Sequence, residues 1–177
     1  WSKVYTQLHI AFAEQADEQG KIVYGISFPK YRLIQQKKLG YLGDKIRIFA
    51  DSVETLEQLN LNHWLERLQD YVHVLSAREV PEDKINGYAT YFKANPKLTI
   101  EQRILHQAKR RGISIEEAKE HFKALELTET LEPYINMKSQ TNAMKFRLII
   151  GKKRVDEACI GKFGSYGLSR TSTVPEF

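Results

Sequence analysis

KIVYGISF, residues 21–28, sets the fold class. Its β-branched and aromatic residues alternate along the run and Pro29 stops it, which predicts a strand. Past a polar, basic loop over residues 30–44, residues 45–50 (KIRIFA) form a second alternating strand. Upstream, Ser2 can cap a helix in which Val4, Tyr5, Leu8, Ala11 and Phe12 recur at helical spacing, and Gly20 lies just beyond its end. Downstream, Asp51 or Ser52 caps a helix that buries Val53, Leu56, Leu59, Trp64, Leu65 and Leu68. Residues 71–80 (YVHVLSAREV) read as a third strand, ended by Pro81. The order helix, strand, strand, helix, strand belongs to the α+β class. One further strand ahead of Trp1 would complete a β-α-β-β-α-β unit, so residues 1–83 are expected to form a ferredoxin-like domain whose first strand is missing from this chain. Many RNA-binding proteins use that unit, but fold does not fix function.

Residues 82–87 (EDKING) read as a hinge, and residues 84–177 as a C-terminal α/β region. Residues 88–93 are short, aromatic and extended. A basic helix is expected over residues 99–111, with Ile100, Ile104, Leu105 and Ala108 on its apolar side. Arg103, His106, Gln107 and Arg110 fall roughly opposite, with Lys109 beside them. Gly112 breaks that helix, and Ser114 with Glu117 makes a capping box for the next, over residues 115–125. A DNA-binding helix-turn-helix is disfavoured, because the second helix carries Glu116, Glu117 and Glu120, which phosphates repel. Strands follow near residues 134–139, 145–150 and 154–160. The glycine-punctuated run at 161–169 lacks the order of a phosphate-binding P-loop.

Charge separates the two halves. Residues 1–88 hold 11 basic and 12 acidic side chains, whereas residues 89–177 hold 16 and 10. The formal net charge of +5 is therefore a property of the second half. Two segments concentrate it: residues 93–111, with six Lys or Arg against Glu101, and residues 138–154, with six and no acid. Basic segments separated by an acidic helix suit a polyanion, with nucleic acid foremost. No apolar run approaches the roughly 18 residues of a membrane span. The single Cys159 forms no internal disulfide and fits a reducing, cytoplasmic setting.

Metal catalysis has little support, since the five histidines are scattered and no tight group of His, Cys, Asp and Glu stands out. A metal-free ribonuclease needs less: a base for the ribose 2′-hydroxyl, groups that hold that hydroxyl in line, and cations for the developing charge. Histidine suits the base, and Ser or Tyr the positioning. Spacing alone leaves open whether His9 is a packed residue or that base.

Six stretches, taken in order, resemble the CRISPR-associated repeat-processing endoribonucleases of type I-F systems. They are QLHIAF at 7–12, YGISFP at 24–29, LGDKIRIFA at 42–50, KRRGIS at 109–114, KSQTNAMKFRLII at 138–150 and SYGLS at 165–169. The resemblance implies a ferredoxin-like domain followed by a region whose basic helix enters the major groove of the repeat hairpin. It implies cleavage of precursor CRISPR RNA at the hairpin base, without metal or other cofactor, by attack of the 2′-hydroxyl. It also implies that the protein keeps the crRNA hairpin and joins the other subunits of the surveillance complex. On this resemblance His9 is the base, Ser139 holds the ribose, and Tyr166 positions His9. Thr141 lies near the cut and Phe146 stacks on the closing base pair, in keeping with how proteins use aromatic rings on RNA.

Two departures stand out. Relatives read the lowest base pairs with an Arg-x-Gln pair, where this chain has Lys93 and Asn95. Lysine lacks the guanidinium fork and asparagine is one methylene shorter. The basic helix also places His106 and Gln107 where arginines are expected, leaving Arg103, Lys109, Arg110 and Arg111 as its cations. Phosphate contacts should still dominate binding, with a weaker salt dependence than a fuller arginine helix would give.

Overall fold

Tyr5, Leu8, Ala11 and Phe12 are each 1% exposed, and they pack in one core with Ile135, Met137, Leu148 and Ile150 from the far end of the chain. In a computed structural model, residues 1–95, 100–122 and 131–177 are described. They form two compact units, Trp1–Ala94 with Glu132–Phe177, and Asn95–Leu131. The class is mixed α+β, with several antiparallel sheets.

The first unit opens with α1 (Ser2–Glu14). Ser2 does not cap it: its hydroxyl instead donates to the Asn136 carbonyl at 2.6 Å, tying the start of the helix to a strand 134 residues away. The run at 21–28 divides into β1 (Lys21–Ile22) and β2 (Gly25–Ser27), because the chain serves two sheets in succession. The expected loop over 30–44 contains a hairpin, β3 (Arg32–Ile34) and β4 (Leu39–Tyr41), whose turn places Lys38 at φ 47°. β5 (Arg47–Phe49) pairs with β2. The single helix expected next is broken into α2 (Val53–Gln58), capped by Ser52, and α3 (Leu61–Trp64). Asn60 at φ 46° interrupts it, a left-handed conformation that asparagine tolerates better than most residues.

No strand forms over residues 71–80, and among the described residues none hydrogen-bonds to 73–80. Strand-forming composition reports how side chains suit a pleated surface; it cannot supply a neighbouring edge. The rest of the unit is β6 (Gly87–Ala94), β7 (Tyr134–Lys138), β8 (Lys145–Val155), β9 (Phe163–Gly164) and β10 (Val174–Glu176). The main sheet runs β10-β6-β8-β7, and β9 pairs with β1. β8 is one long strand that ends at Val155, so the strand expected over 154–160 does not form separately. The sheet face that carries Ala89, Tyr91, Ile135, Leu148, Ile150 and Val174 supplies the core. Removing each large apolar side chain from water contributes about 1.5–3 kcal/mol.

The second unit contains α4 (Ile100–Arg111) and α5 (Ile115–Glu120). Gly112, at φ 64°, lets the Ile113 N–H turn back to the Ala108 carbonyl at 3.2 Å and close α4. The expected capping box is present: the Glu117 N–H donates to Ser114 Oγ at 3.1 Å, and the Ser114 N–H to Glu117 Oε2 at 2.9 Å. Ile104 and Ala108, one turn apart, bury against Ala118, with Ile113 and Phe122 beside them. Leu105, expected on that side, is 55% exposed, since it lies about 100° around the helix from Ile104. The expected cap at Thr99 and the expected helix residues 123–125 lie outside the described residues.

Candidate active site

Tyr5 and His9 are four residues apart, so their side chains leave α1 one above the other. They engage two consecutive carbonyls of the loop after β9. The His9 Nδ1 lies 2.9 Å from the Ser165 carbonyl oxygen, and the Tyr5 hydroxyl donates to the Tyr166 carbonyl at 2.8 Å. A carbonyl can only accept, so Nδ1 carries the hydrogen and the lone pair of the neutral ring lies on Nε2. The Tyr166 ring stacks on the imidazole at a centroid separation of 3.9 Å and an interplanar angle of 9°. Such a stack contributes about 0.5–1.5 kcal/mol beyond its burial and fixes the plane of the histidine.

Burial raises the pKa of the Tyr166 phenol, and burial followed by the neighbouring Tyr166 raises that of Tyr5. Both remain neutral phenols near pH 7, so neither is a base there. The loop that carries Tyr166 is tightly pinned. The Gly167 N–H donates to the Gly164 carbonyl at 2.7 Å, the Ile26 N–H to the Gly167 carbonyl at 3.1 Å, and the Ser169 N–H to the Tyr91 carbonyl at 2.8 Å. Gly167 has φ 71°, and a Cβ there would lie 2.7 Å from Ile26 Cγ2 and 3.1 Å from Phe12 Cε2.

Ser139 opens the loop between β7 and β8. Its N–H donates to the Met144 carbonyl at 2.8 Å and closes the hairpin, while its Oγ accepts a long bond, 3.4 Å, from the Asn142 N–H. The hydroxyl is weakly held and has its own proton to donate. Thr141 is exposed in the same loop, which includes Ala143 at φ 56°. Strain of this kind in a non-glycine residue costs about 1–2 kcal/mol. No hydrogen bond joins His9 or Tyr166 to Ser139.

Two other sequence-derived candidates meet: Lys93 Nζ lies 5.8 Å from the centroid of the half-buried Phe146 ring, a favourable cation–π approach. Asn95, exposed, belongs to the second unit. On α4, His106, Lys109, Arg110 and Arg111 are exposed. Arg103 and Gln107, expected with them, are half-buried, because they lie beside the Ile104–Ala108 stripe. Sequence reasoning missed Ser165 and Tyr5. The first acts through its backbone carbonyl and leaves no residue signal; the second shows only as an apolar helix position. Among the described residues, no group of three or more His, Cys, Asp or Glu gathers to hold a metal, and no helix is long and apolar enough to cross a membrane.

A family model described as CRISPR-associated protein (Cas_Csy4) matches residues 1–177. Two relatives, from Escherichia coli (strain UTI89 / UPEC) and Pseudomonas aeruginosa (strain UCBPP-PA14), are both named CRISPR-associated endonuclease Cas6/Csy4. The first is 30% identical over 180 residues, covering 98% of this chain and 88% of the relative. The second is 30% identical over 183 residues, covering 99% and 89%.

Proposed function

Since the chain belongs to the Csy4 family of CRISPR-associated proteins, we propose that it is a metal-independent endoribonuclease that cuts precursor CRISPR RNA at the base of the repeat hairpin. It then keeps the product hairpin as a cytoplasmic subunit of the surveillance complex. The observation that carries this reading is the bond between His9 Nδ1 and the Ser165 carbonyl, which leaves the Nε2 lone pair as the available base. Nε2 takes the proton of the ribose 2′-hydroxyl, the 2′-oxygen bonds to the adjacent phosphorus, and the bond from phosphorus to the 5′-oxygen breaks. The leaving oxygen takes up a proton and a 2′,3′-cyclic phosphate remains.

Ser139 holds the ribose through its free O–H, with Thr141 near the cut, and Tyr166 keeps the imidazole in plane. Phe146, with Lys93 at its face, supports the closing base pair. Asn95 and the α4 residues Arg103, His106, Gln107, Lys109, Arg110 and Arg111 hold the hairpin. A ferredoxin-like arrangement of residues 1–83 belongs to the same proposal: α1, β2, β5 and α2 follow its order. Residues 84–177 are its RNA-binding partner.

Replacing the scissile nucleotide by its 2′-deoxy analogue is expected to abolish cutting, while the ribose substrate is cut unchanged in excess chelator. Cutting of the deoxy substrate, or loss of cutting in chelator, overturns the mechanism. The replacement of the Arg-x-Gln pair by Lys93 and Asn95 favours a second reading, a hairpin-binding subunit without turnover. Binding of the ribose substrate without any product would establish it.

Tyr166 is a positioning residue, and its two substitutions separate ring from hydroxyl. Tyr166→Phe retains the stacked ring and is expected to cut within about three-fold of wild type. Tyr166→Ala is expected to lower kcat about 10–100-fold with KM nearly unchanged, since a misplaced base costs rate rather than binding. Equal losses from both substitutions would assign the effect to the phenol hydroxyl.

A further inference from the structure

The four-stranded sheet has a second face that the proposed cleavage site does not use. Cross-strand pairing sets its composition: Lys138 lies opposite Lys145, Asn136 opposite Arg147, Tyr134 opposite Ile149, Phe92 opposite Gly151 and Thr90 opposite Lys153. Directly opposed residues share a face, so these side chains point away from the one that packs on the core. Lys138, Lys145, Arg147 and Lys153 are exposed, and no strand residue on this face is acidic. Opposing two lysines on one rung disfavours the pair unless an anion lies between them.

Two aromatic rings interrupt the cations, each covered by an arginine. The Arg147 guanidinium lies 4.6 Å from the centroid of Tyr134, which is 47% exposed. Phe92 lies across Gly151, where an added Cβ would come within 2.5 Å of two ring carbons, so the glycine lets the ring lie on the sheet. The Arg170 guanidinium sits 4.8 Å from the Phe92 centroid, and its Nη2 donates to the Lys93 carbonyl at 2.9 Å. Beyond Phe92, a cavity of about 380 Å³ is lined by Thr90, Lys153, Arg170 and Thr171, with Asp156 and Glu157 also in its wall.

We propose that this face binds a single-stranded segment of the precursor RNA that flanks the hairpin, with phosphates on the lysines and bases stacked on the two ring-backed guanidinium planes. The inference rests on the proposed function for its substrate. Ile149 and Thr90 on this face are buried, and the cations and ring-backed guanidinium planes stand around them. Alternating cations and stacking planes suit unpaired nucleotides, which expose base faces that a duplex conceals. The position suits it as well, because the Lys138–Lys145 rung adjoins the Ser139 loop. From there to Lys153 the track along β8 runs about 27 Å, enough for several nucleotides.

The test uses the full chain and three uncleavable 2′-deoxy RNAs: the hairpin alone, and the hairpin with a ten-nucleotide unpaired arm on either its 5′ or its 3′ side. One arm is expected to tighten wild-type binding about ten-fold, the value of one well-stacked base. The variant Arg147→Gln/Lys153→Gln/Arg170→Gln should remove that gain and lower the salt slope for the armed RNA by about two. Its affinity for the bare hairpin, and its cutting of the ribose form, should stay at wild-type level. Tyr134→Ala, which leaves every charge in place, should remove part of the same gain. Failure of both arms to tighten binding, or equal weakening of bare and armed hairpins by the triple variant, overturns the proposal. Failure to cut the ribose hairpin would instead overturn the cleavage reading, which the arm measurements do not touch.

Discussion

His9→Ala is expected to abolish cleavage in practice, lowering the single-turnover rate about 10³-fold or more, while affinity for the hairpin stays within a few-fold of wild type. A general base contributes about 10²–10⁴ in rate, and the imidazole is also one half of a stacked pair whose partner, Tyr166, loses its support. The ring is half-buried and, among the described residues, bonded only through Nδ1 to Ser165, so its removal costs that part of the fold one hydrogen bond and one stack. His9→Asn sharpens the test. Its amide N–H can still reach toward the Ser165 carbonyl, but it has no basic lone pair. Loss of cutting in both variants with retained hairpin binding supports base catalysis at Nε2. A collapse of hairpin affinity in both would make His9 a structural residue.

Gly167→Ala should damage the same site from the opposite side. At φ 71° an L-residue costs about 1–2 kcal/mol, and the new methyl lies 2.7 Å from a buried Ile26 methyl. Crowding of a packed core adds about 1–3 kcal/mol. A loss of about 2–5 kcal/mol lowers Tm by roughly 4–20 °C in a domain of this size. Because Tyr166 precedes Gly167, the strain also moves the ring that stacks on His9. Cleavage by protein that remains folded should therefore fall about ten-fold or more, measured well below the new Tm. Wild-type Tm and rate together would show that the turn is not under constraint.

Much of the local structure was legible because local period and chemistry carry it. The stripe Tyr5, Leu8, Ala11 and Phe12 reports helix α1. Ser114 and Glu117 report a helix start through two reciprocal bonds that need no distant partner. The alternation over residues 134–138 and 145–150 reports two strands joined by a polar loop. Where pairing partners decide the outcome, the reading fell short. Residues 71–80 have the composition of a strand but no edge to join, and residues 53–68 have one apolar stripe but a left-handed Asn60 in its midst. The hairpin at Arg32–Ile34 and Leu39–Tyr41 was hidden among lysines and glutamines that resemble loop.

The candidate site divides in the same way. Residue chemistry nominates histidine and serine for ribose activation, and resemblance attaches those roles to His9, Ser139 and Tyr166. Neither indicates which imidazole nitrogen is free, since that depends on the backbone oxygen of Ser165, 156 residues along the chain. The cationic sheet face was equally hidden: Arg147 and Tyr134, or Arg170 and Phe92, meet only through strand register and a returning loop.

By itself the amino-acid sequence determined the α+β class, the basic second half, the helix caps at Ser52 and Ser114 and, through ordered short motifs, the family. Only the tertiary structure decided the tautomer of His9, the stack with Tyr166, the Lys93–Phe146 approach and the separation of the sheet into a core face and a cationic face. The physical reason is range. Periodicity and capping depend on neighbours within a turn or a rung, whereas the state of an imidazole and the sign of a surface depend on atoms that chain topology brings together from far apart.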